Sequence, residues 1–340
     1  MLKRILSLAT DRIHELPVLV LMPHSRCNCR CVMCDIWKAN QNKQEITVEQ
    51  LQPHIESFRK LGVKYVALSG GEALMHSNLW KFCEVLKSIG VKISLLSTGL
   101  TLKTNAENIL KHVDEVIVSL DGSPEVHNHI RNIPAAFEKL SEGVRSLKEL
   151  KPGFRITGRS VLQKLNFNHL IDIISTAKSL GLDQISFLPA DVSTSAFNRN
   201  DPWTENKVEE IELNKAEVET FELIIENTIR QFPELYKNRF IAESPQKMRE
   251  IVQYYKALLH EGIFPVKRCN APWVSAVIET DGEVKPCFFH KSYGNLSGGS
   301  IDEILNSREA IAFRKNLDMK NDSICSRCVC SLHVGLTQSF

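Results

Sequence analysis

The sequence predicts an α/β fold built on a parallel sheet, followed by a small cysteine-bearing unit. Three observations predict it. Between residue 17 and about residue 190, six apolar, β-rich runs alternate with segments whose apolar residues recur at the helical period. Several of those helical segments end in glycine, a frequent C-terminal stop. Beyond residue 196 the alternation gives way to longer helical patterns, then to a hairpin-like stretch and a second group of cysteines. Strands alternating with helices imply right-handed crossovers in a parallel sheet. Six such units are too few for a complete eightfold barrel, and periodicity alone is compatible with both an open partial barrel and a doubly wound sheet.

Taken in order, residues 1–16 are an N-terminal helix in which Leu2, Ile5, Leu6, Leu8 and Ile13 suit one face packed on the domain. Residues 17–195 form the sheet-and-helix unit. Its strand candidates are PVLVLM, VKYVALSG, VKISLLSTG, DEVIVSLDG, FRITGRSVL and DQISFLP. TVEQLQPHIESFRKLG, LWKFCEVLKSIG, NAENILKHV, AFEKLSEGVRSLKEL and FNHLIDIISTAKSLG are the intervening helices. Residues 196–265 form a helical bridge around VETFELIIENTIRQF and PQKMREIVQYYKALLHEG. Residues 266–340 begin with WVSAVIETDGEVKPCFF, a hairpin turning at Asp281-Gly282. The end, ICSRCVCSLH, has little room for a core and depends on metal for its order.

Composition narrows the function classes. The 42 basic and 40 acidic residues leave a net charge of +2, which gives no bulk reason to expect a nucleic-acid partner. No apolar run approaches the ~20 residues of a membrane span. The opening segment lacks the apolar region and cleavage site of a signal peptide, so a cytoplasmic protein is expected. In that reducing compartment ten cysteines point to metal or catalysis rather than to disulfides. Cys83 stands alone in a helical pattern and reads as core.

The stretch HSRCNCRCVMCDIW, residues 24 to 37, follows the first strand. Cys27, Cys31 and Cys34 are spaced C-x3-C-x2-C, in a loop at the C-terminal end of a parallel strand, where such folds place their chemistry. Three thiolates from one loop can hold three irons of a cubane and leave the fourth open to an external ligand. A structural zinc site normally closes with four protein ligands. No second CxxC lies nearby to close one.

This spacing resembles the signature of the radical S-adenosylmethionine (radical SAM) superfamily, which is carried on a partial (β/α)6 TIM-type barrel. Further motifs occur in the matching order. SGGEALM resembles the family's Gly-Gly-Glu-Pro stretch, which implies that Gly70, Gly71 and Glu72 hold the methionine amino group of SAM. LLSTGL, with Ser97 and Thr98, ends the third strand where relatives often have Thr-Asn-Gly. VSLDGSPEVHNHIRN supplies Ser119, Asp121 and Arg131 after the fourth, and GRSVLQKLN supplies Ser160 after the fifth. Met33, Ala73 and Thr98-Gly99 depart from the family pattern, and Cys29 falls outside its spacing. The resemblance implies a 4Fe–4S cluster that binds SAM, an electron donor such as flavodoxin or ferredoxin, and a 5′-deoxyadenosyl radical that abstracts hydrogen from substrate.

Cys269, Cys287, Cys325 and Cys328 could close around a metal, and spacing alone weighs zinc and iron–sulfur evenly. The pattern resembles the SPASM extension and its shortened "twitch" form, similar to that of radical SAM aminocyclitol dehydrogenases. It implies one auxiliary 4Fe–4S cluster on those four thiols, with Cys330 spare or in place of Cys328. The expected reaction is an oxidation of a small polar metabolite. A peptide-modifying maturase is the alternative, weakened because only 16 residues precede the first strand and many such enzymes carry a longer recognition extension. A redox-neutral epimerase or decarboxylase, and a noncatalytic iron–sulfur or zinc scaffold, complete the set. Arg159, Asp191 and His290 could reach the cavity, while His127 and His129 are read as orienting the Asp121 loop.

Overall fold

The computed structural model describes residues 1–199 and 203–338. Six parallel strands come first: β1 (Val18–Leu21), β2 (Tyr65–Leu68), β3 (Lys92–Ser97), β4 (Glu115–Ser119), β5 (Arg155–Leu162) and β6 (Gln184–Pro189). Each lies inside one of the six predicted runs. They neighbour one another in chain order, with helices as crossovers, and form the partial (β/α)6 barrel. Pro53 divides the first predicted crossover helix into Val48–Leu51 and Ile55–Lys60. Leu79–Lys87, Ala106–His112, Ala136–Leu150 and Leu170–Ser179 supply the others. Their apolar faces and the strands make one continuous core, which includes Cys83.

The sheet does not stop at β1. The predicted hairpin forms from β7 (Ser275–Ile278) and β8 (Glu283–Lys285), with Val277 opposite Lys285, and β9 (Gly294–Asn295) follows. Strand β7 pairs in parallel with β1, Val18 opposite Ser275, so one nine-stranded sheet runs β6-β5-β4-β3-β2-β1-β7-β8-β9. The terminal cysteine unit therefore grows from the barrel's own sheet. At the other edge, the segment 240–243 covers β6. Ile185 N–H donates to the Phe240 carbonyl at 2.7 Å, and the Glu243 carboxylate accepts the Phe187 N–H at 2.8 Å. An edge satisfied in this way is closed to strand addition.

The N-terminal helix, Leu2–Thr10, overturns one expectation. Its buried residues are Arg4 and Ser7, whereas Leu2, Ile5, Leu6 and Leu8 face outward; of the predicted apolar face only Ile13, beyond the helix, is buried. In the bridge, Lys215–Gln231 and Pro245–Leu258 are helices as read. Among the described residues no helix is long and apolar enough to cross a membrane.

Candidate active site

The loop of residues 27–34 follows β1 and is fixed by bonds that involve no thiol. Cys27 N–H donates to Asn40 Oδ1 and Asn40 Nδ2 returns a bond to the Cys27 carbonyl, both 2.9 Å. Arg30 and Val32 donate N–H to the carbonyls of Arg131 and Ile130. Thr98 Oγ1 donates to Asn28 Oδ1 at 2.9 Å. The sharpest constraint is steric. A Cβ on Gly71 would stand 2.1 Å from the Arg26 carbonyl oxygen, and one on Gly70, whose φ is +99°, 2.8 Å from Met22 Cβ. Glycine is needed because the cysteine loop lies directly on this backbone.

These elements line one cleft of about 230 Å³ at the C-terminal ends of the strands. Cys27, Cys31 and Cys34 form one wall, with Gly70, Gly71, Ser97, Thr98, Ser119 and Arg131 beside them. Arg159, Asp191, Phe197 and Val329 also line it. Three of the predicted SAM-binding residues are not among the cleft's lining. Ser160 is fully buried on the other face of β5, because alternation along the strand sends Arg159 and Val161 into the cleft. Glu72 is buried, and its carboxylate accepts from Thr98 N–H (2.7 Å), Ser97 Oγ (3.0 Å) and Leu74 N–H (3.3 Å). It thereby ties the glycine turn to the end of β3. Asp121 is buried too and accepts from Arg131 Nε at 2.6 Å, which aims that guanidinium at Cys31 Sγ, 3.5 Å away.

Burial raises the Cys27 thiol and pushes Cys34 up to about 12. Cys31 moves the other way, downward, through a hydrogen bond with Cys29 and then the nearby Arg131 charge. The extra thiol, Cys29, is buried and packs with Met33 and Ile130. Burial lowers His127 to about 4, and its Nδ1 accepts the Asp121 N–H at 3.3 Å, so a neutral ring orients the Asp121 turn. His129 lies in the same helix, Pro124–Arg131.

The terminal thiols come from separate segments. Cys269 precedes a short helix, Ala271–Val274, Cys287 follows β8, and Cys325 and Cys328 bracket a single 3-10 turn. Cys287 feels Cys269 and Cys330, and Cys328 feels Cys330, Cys287 and Cys269, so all five thiols gather in one region. Cys330 is the exposed member. His290 does not line the cleft; its Nε2 lies 3.2 Å from Cys325 Sγ, and its ring packs edge-on against Phe313. Asp322 accepts the Cys325 N–H at 2.8 Å. Val329, between the last thiols, reaches the cleft wall.

Residues 21–177 match the profile described as the Radical SAM superfamily, and residues 269–329 match SPASM, an iron–sulfur cluster-binding domain. The chain belongs to the radical SAM superfamily. This radical SAM protein is 29% identical over 207 residues to the probable GTP 3′,8-cyclase of Thermococcus kodakarensis, covering 58% of this chain and 65% of that one. It is 28% identical over 289 residues to the GTP 3′,8-cyclase of Aquifex aeolicus, covering 81% and 82% respectively. The match thus spans less than two thirds of the Thermococcus protein. The fold is similar to that of Streptococcus suis SuiB bound to precursor peptide SuiA, with TM-score 0.65 and 13% identity, over 97% of this chain and 74% of that one. The cofactors of such a radical SAM and SPASM chain are 4Fe–4S clusters and SAM. The donor set fits them. Three soft thiols share one loop, and the glycine backbone beside them has no side chain to fill the cleft.

Sequence reading missed several contributors. Asn40 clamps Cys27, and nothing in its local pattern marks it. Arg199 is buried, pairs with Asp191 at 2.9 Å and stacks over Trp203 at 3.7 Å. Phe197 and Asn198 both hold a φ of 62° at the cleft lip, where Asn198 Nδ2 reaches the Asp35 carbonyl. The helix Pro124–Arg131 did carry a signal, Ser123 as its cap and Pro124 in its first turn.

Proposed function

We propose that this radical SAM enzyme oxidises a polar substrate at an unactivated C–H bond, a dehydrogenase-like reaction in which the terminal centre takes up an electron. The observation that carries the proposal is Val329. It lies between Cys328 and Cys330 and lines the same cleft as Cys27, Cys31 and Cys34. The segment that carries the last thiols therefore borders the same space as the first thiol group.

In this reading Cys27, Cys31 and Cys34 hold the SAM-binding cluster, and Cys269, Cys287, Cys325 and Cys328 hold the auxiliary one. When bound, the cluster and SAM supply one-electron cleavage and a hydrogen-abstracting radical. The chain's residues do the rest. The Gly70-Gly71 backbone, Ser97, Thr98, Ser119 and Arg131 line the SAM half of the cleft. Glu72, Asp121 and Ser160 act from behind it. Arg159 faces the substrate half, with Ser186 Oγ as its hydrogen-bond partner at 3.3 Å, which suits an anionic or strongly polar substrate group. Val161, Leu188 and Val329 keep that half apolar and exclude water. An oxidised product requires that substrate lose one hydrogen atom, one proton and one electron. A donor such as flavodoxin or ferredoxin, in a reducing cytoplasm, completes the system.

The test is product analysis after anaerobic reduction with SAM. The expected product is two hydrogens lighter than substrate and forms with one 5′-deoxyadenosine. A Cys325→Ala/Cys328→Ala variant is expected to release 5′-deoxyadenosine without that product. Product at the normal rate in the variant overturns the acceptor role.

A peptide-modifying reaction is the second reading. The cleft continues past Ile36, Gly70 and Phe197 into a groove lined by Ser25, Gln44, Thr280 and Phe288. An extended chain lying there can present one residue to the cleft. Assaying peptide and metabolite pools side by side separates the two readings.

A further inference from the structure

The helix Leu2–Thr10 is docked by its polar face. Arg4 donates to Glu15 Oε1 at 3.0 Å and to the carbonyls of Gly335, Leu336 and Gln338. Ser7 Oγ accepts the His14 N–H at 2.9 Å. These bonds leave the apolar face outside, with Met1 70% exposed, Leu2 69%, Ile5 38%, Leu6 38% and Leu8 39%. At the helical period, Leu8, Ile5, Ala9, Leu2 and Leu6 span an arc of about 160°. An amphipathic helix clamped with that arc outward is built to meet an apolar phase.

Charge selects the phase. Residues 1–10 contain no acidic side chain, and the exposed charged side chains of residues 1–12 are Lys3 and Arg12. Nearby acidic groups are committed inward, Glu15 to Arg4 and Asp11 to the Trp273 indole. A second copy of the chain is a poor occupant. The helix footprint is on the order of 150 Å², against the ~800 Å² per partner of a stable interface. A bilayer needs no such area, because a shallow apolar arc adds to cationic attraction for anionic headgroups.

We propose that this helix is a membrane-surface anchor, which lays Leu2, Ile5, Leu6 and Leu8 into the headgroup boundary of an anionic phospholipid bilayer with Lys3 and Arg12 against its phosphates. The helix packs beside Ala271–Val274, at the start of β7, whereas the cleft lies at the opposite, C-terminal ends of the strands. The docked protein therefore keeps its cleft mouth toward water and takes its substrate from solution.

Flotation of the cluster-loaded protein tests this, using vesicles of phosphatidylcholine with and without phosphatidylglycerol. The protein is expected to float with the phosphatidylglycerol vesicles and to be released by high salt. Leu2→Glu/Ile5→Glu/Leu6→Glu is expected to abolish flotation while leaving iron content and 5′-deoxyadenosine release unchanged, because none of these side chains belongs to the buried core. Lys3→Gln/Arg12→Gln is expected to weaken partitioning on the order of thirtyfold. No flotation of the parent protein, or undiminished flotation of the triple variant, overturns the proposal. So does a concentration-dependent dimer, seen by sedimentation, that the triple variant dissolves.

Discussion

The loop of residues 27–34 is cross-linked to the barrel by Asn40, Arg131, Ile130 and the Gly71 turn, whereas the thiol-bearing residues 325–330 contain one 3-10 turn and are tied mainly by Asp322 and His290, the firmer anchors, Asn270 and Arg4, holding only residues 332–338. One centre is shaped before any metal arrives. The other draws thiols from segments far apart in sequence and is expected to gain order from what it binds. The difference teaches where rigidity is needed. A site that must keep a position open for a reactant requires a frame that stands without that reactant. A closed site can let its metal act as the frame.

Removing all three thiols of the first loop is the strongest way to break this contrast. Cys27→Ala/Cys31→Ala/Cys34→Ala is expected to lose about half of roughly eight irons per chain and all 5′-deoxyadenosine release, yet melt within a few degrees of the parent. A large drop in melting temperature means the loop also depends on its metal, and the contrast fails. Chelating all iron is the next test. Trypsin is expected to cut after Lys320 and Arg327 at least about tenfold faster, while Arg26 and Arg30 stay protected. Equal exposure at both sites contradicts the distinction.

Acid probes the frame of the first centre through one buried ring. Burial holds His127 near 4, below its ordinary 6.5. A depressed histidine favours the folded state above 6.5, and that stability is lost as pH falls toward 4. Denaturation at pH 7 and pH 5 is expected to differ by about 2 kcal/mol from this group, and His127→Gln should flatten the slope. The smallest effect concerns the second centre. His290 places Nε2 beside Cys325 Sγ, and a donated N–H stabilises the reduced cluster. His290→Phe keeps the ring packing on Phe313 and is expected to lower the auxiliary potential by a tenfold change in the reduction equilibrium, about 59 mV for one electron. Redox titration in the triple-alanine background reads it directly. An unchanged potential removes His290 from that role.

What the sequence made legible was local. The six strands show because apolar, β-branched runs end at glycine-marked helices, and the first loop shows because its three thiols sit within eight residues. What it hid was directional or distant. The family resemblance placed Glu72, Asp121 and Ser160 at the site, but only the pleat and the burial show that all three lie behind the cleft wall. The outward turn of the first helix depends on carbonyls of residues 335–338, which no local pattern announces. The pairing of β7 with β1 joins Ser275 to Val18, beyond the reach of any periodicity.

That pairing also has a consequence in time. Until β7 appears, β1 has β2 as its only neighbour and is an open edge. At ribosomal speeds of about 5–20 residues per second, the ~250 residues separating the two strands take on the order of 10–50 s to emerge. Throughout that interval the nascent chain carries the loop of Cys27, Cys31 and Cys34 just after an unpaired border strand. Loading of the cluster proposed for that loop is therefore expected after release from the ribosome, when the last quarter of the chain has sealed the sheet.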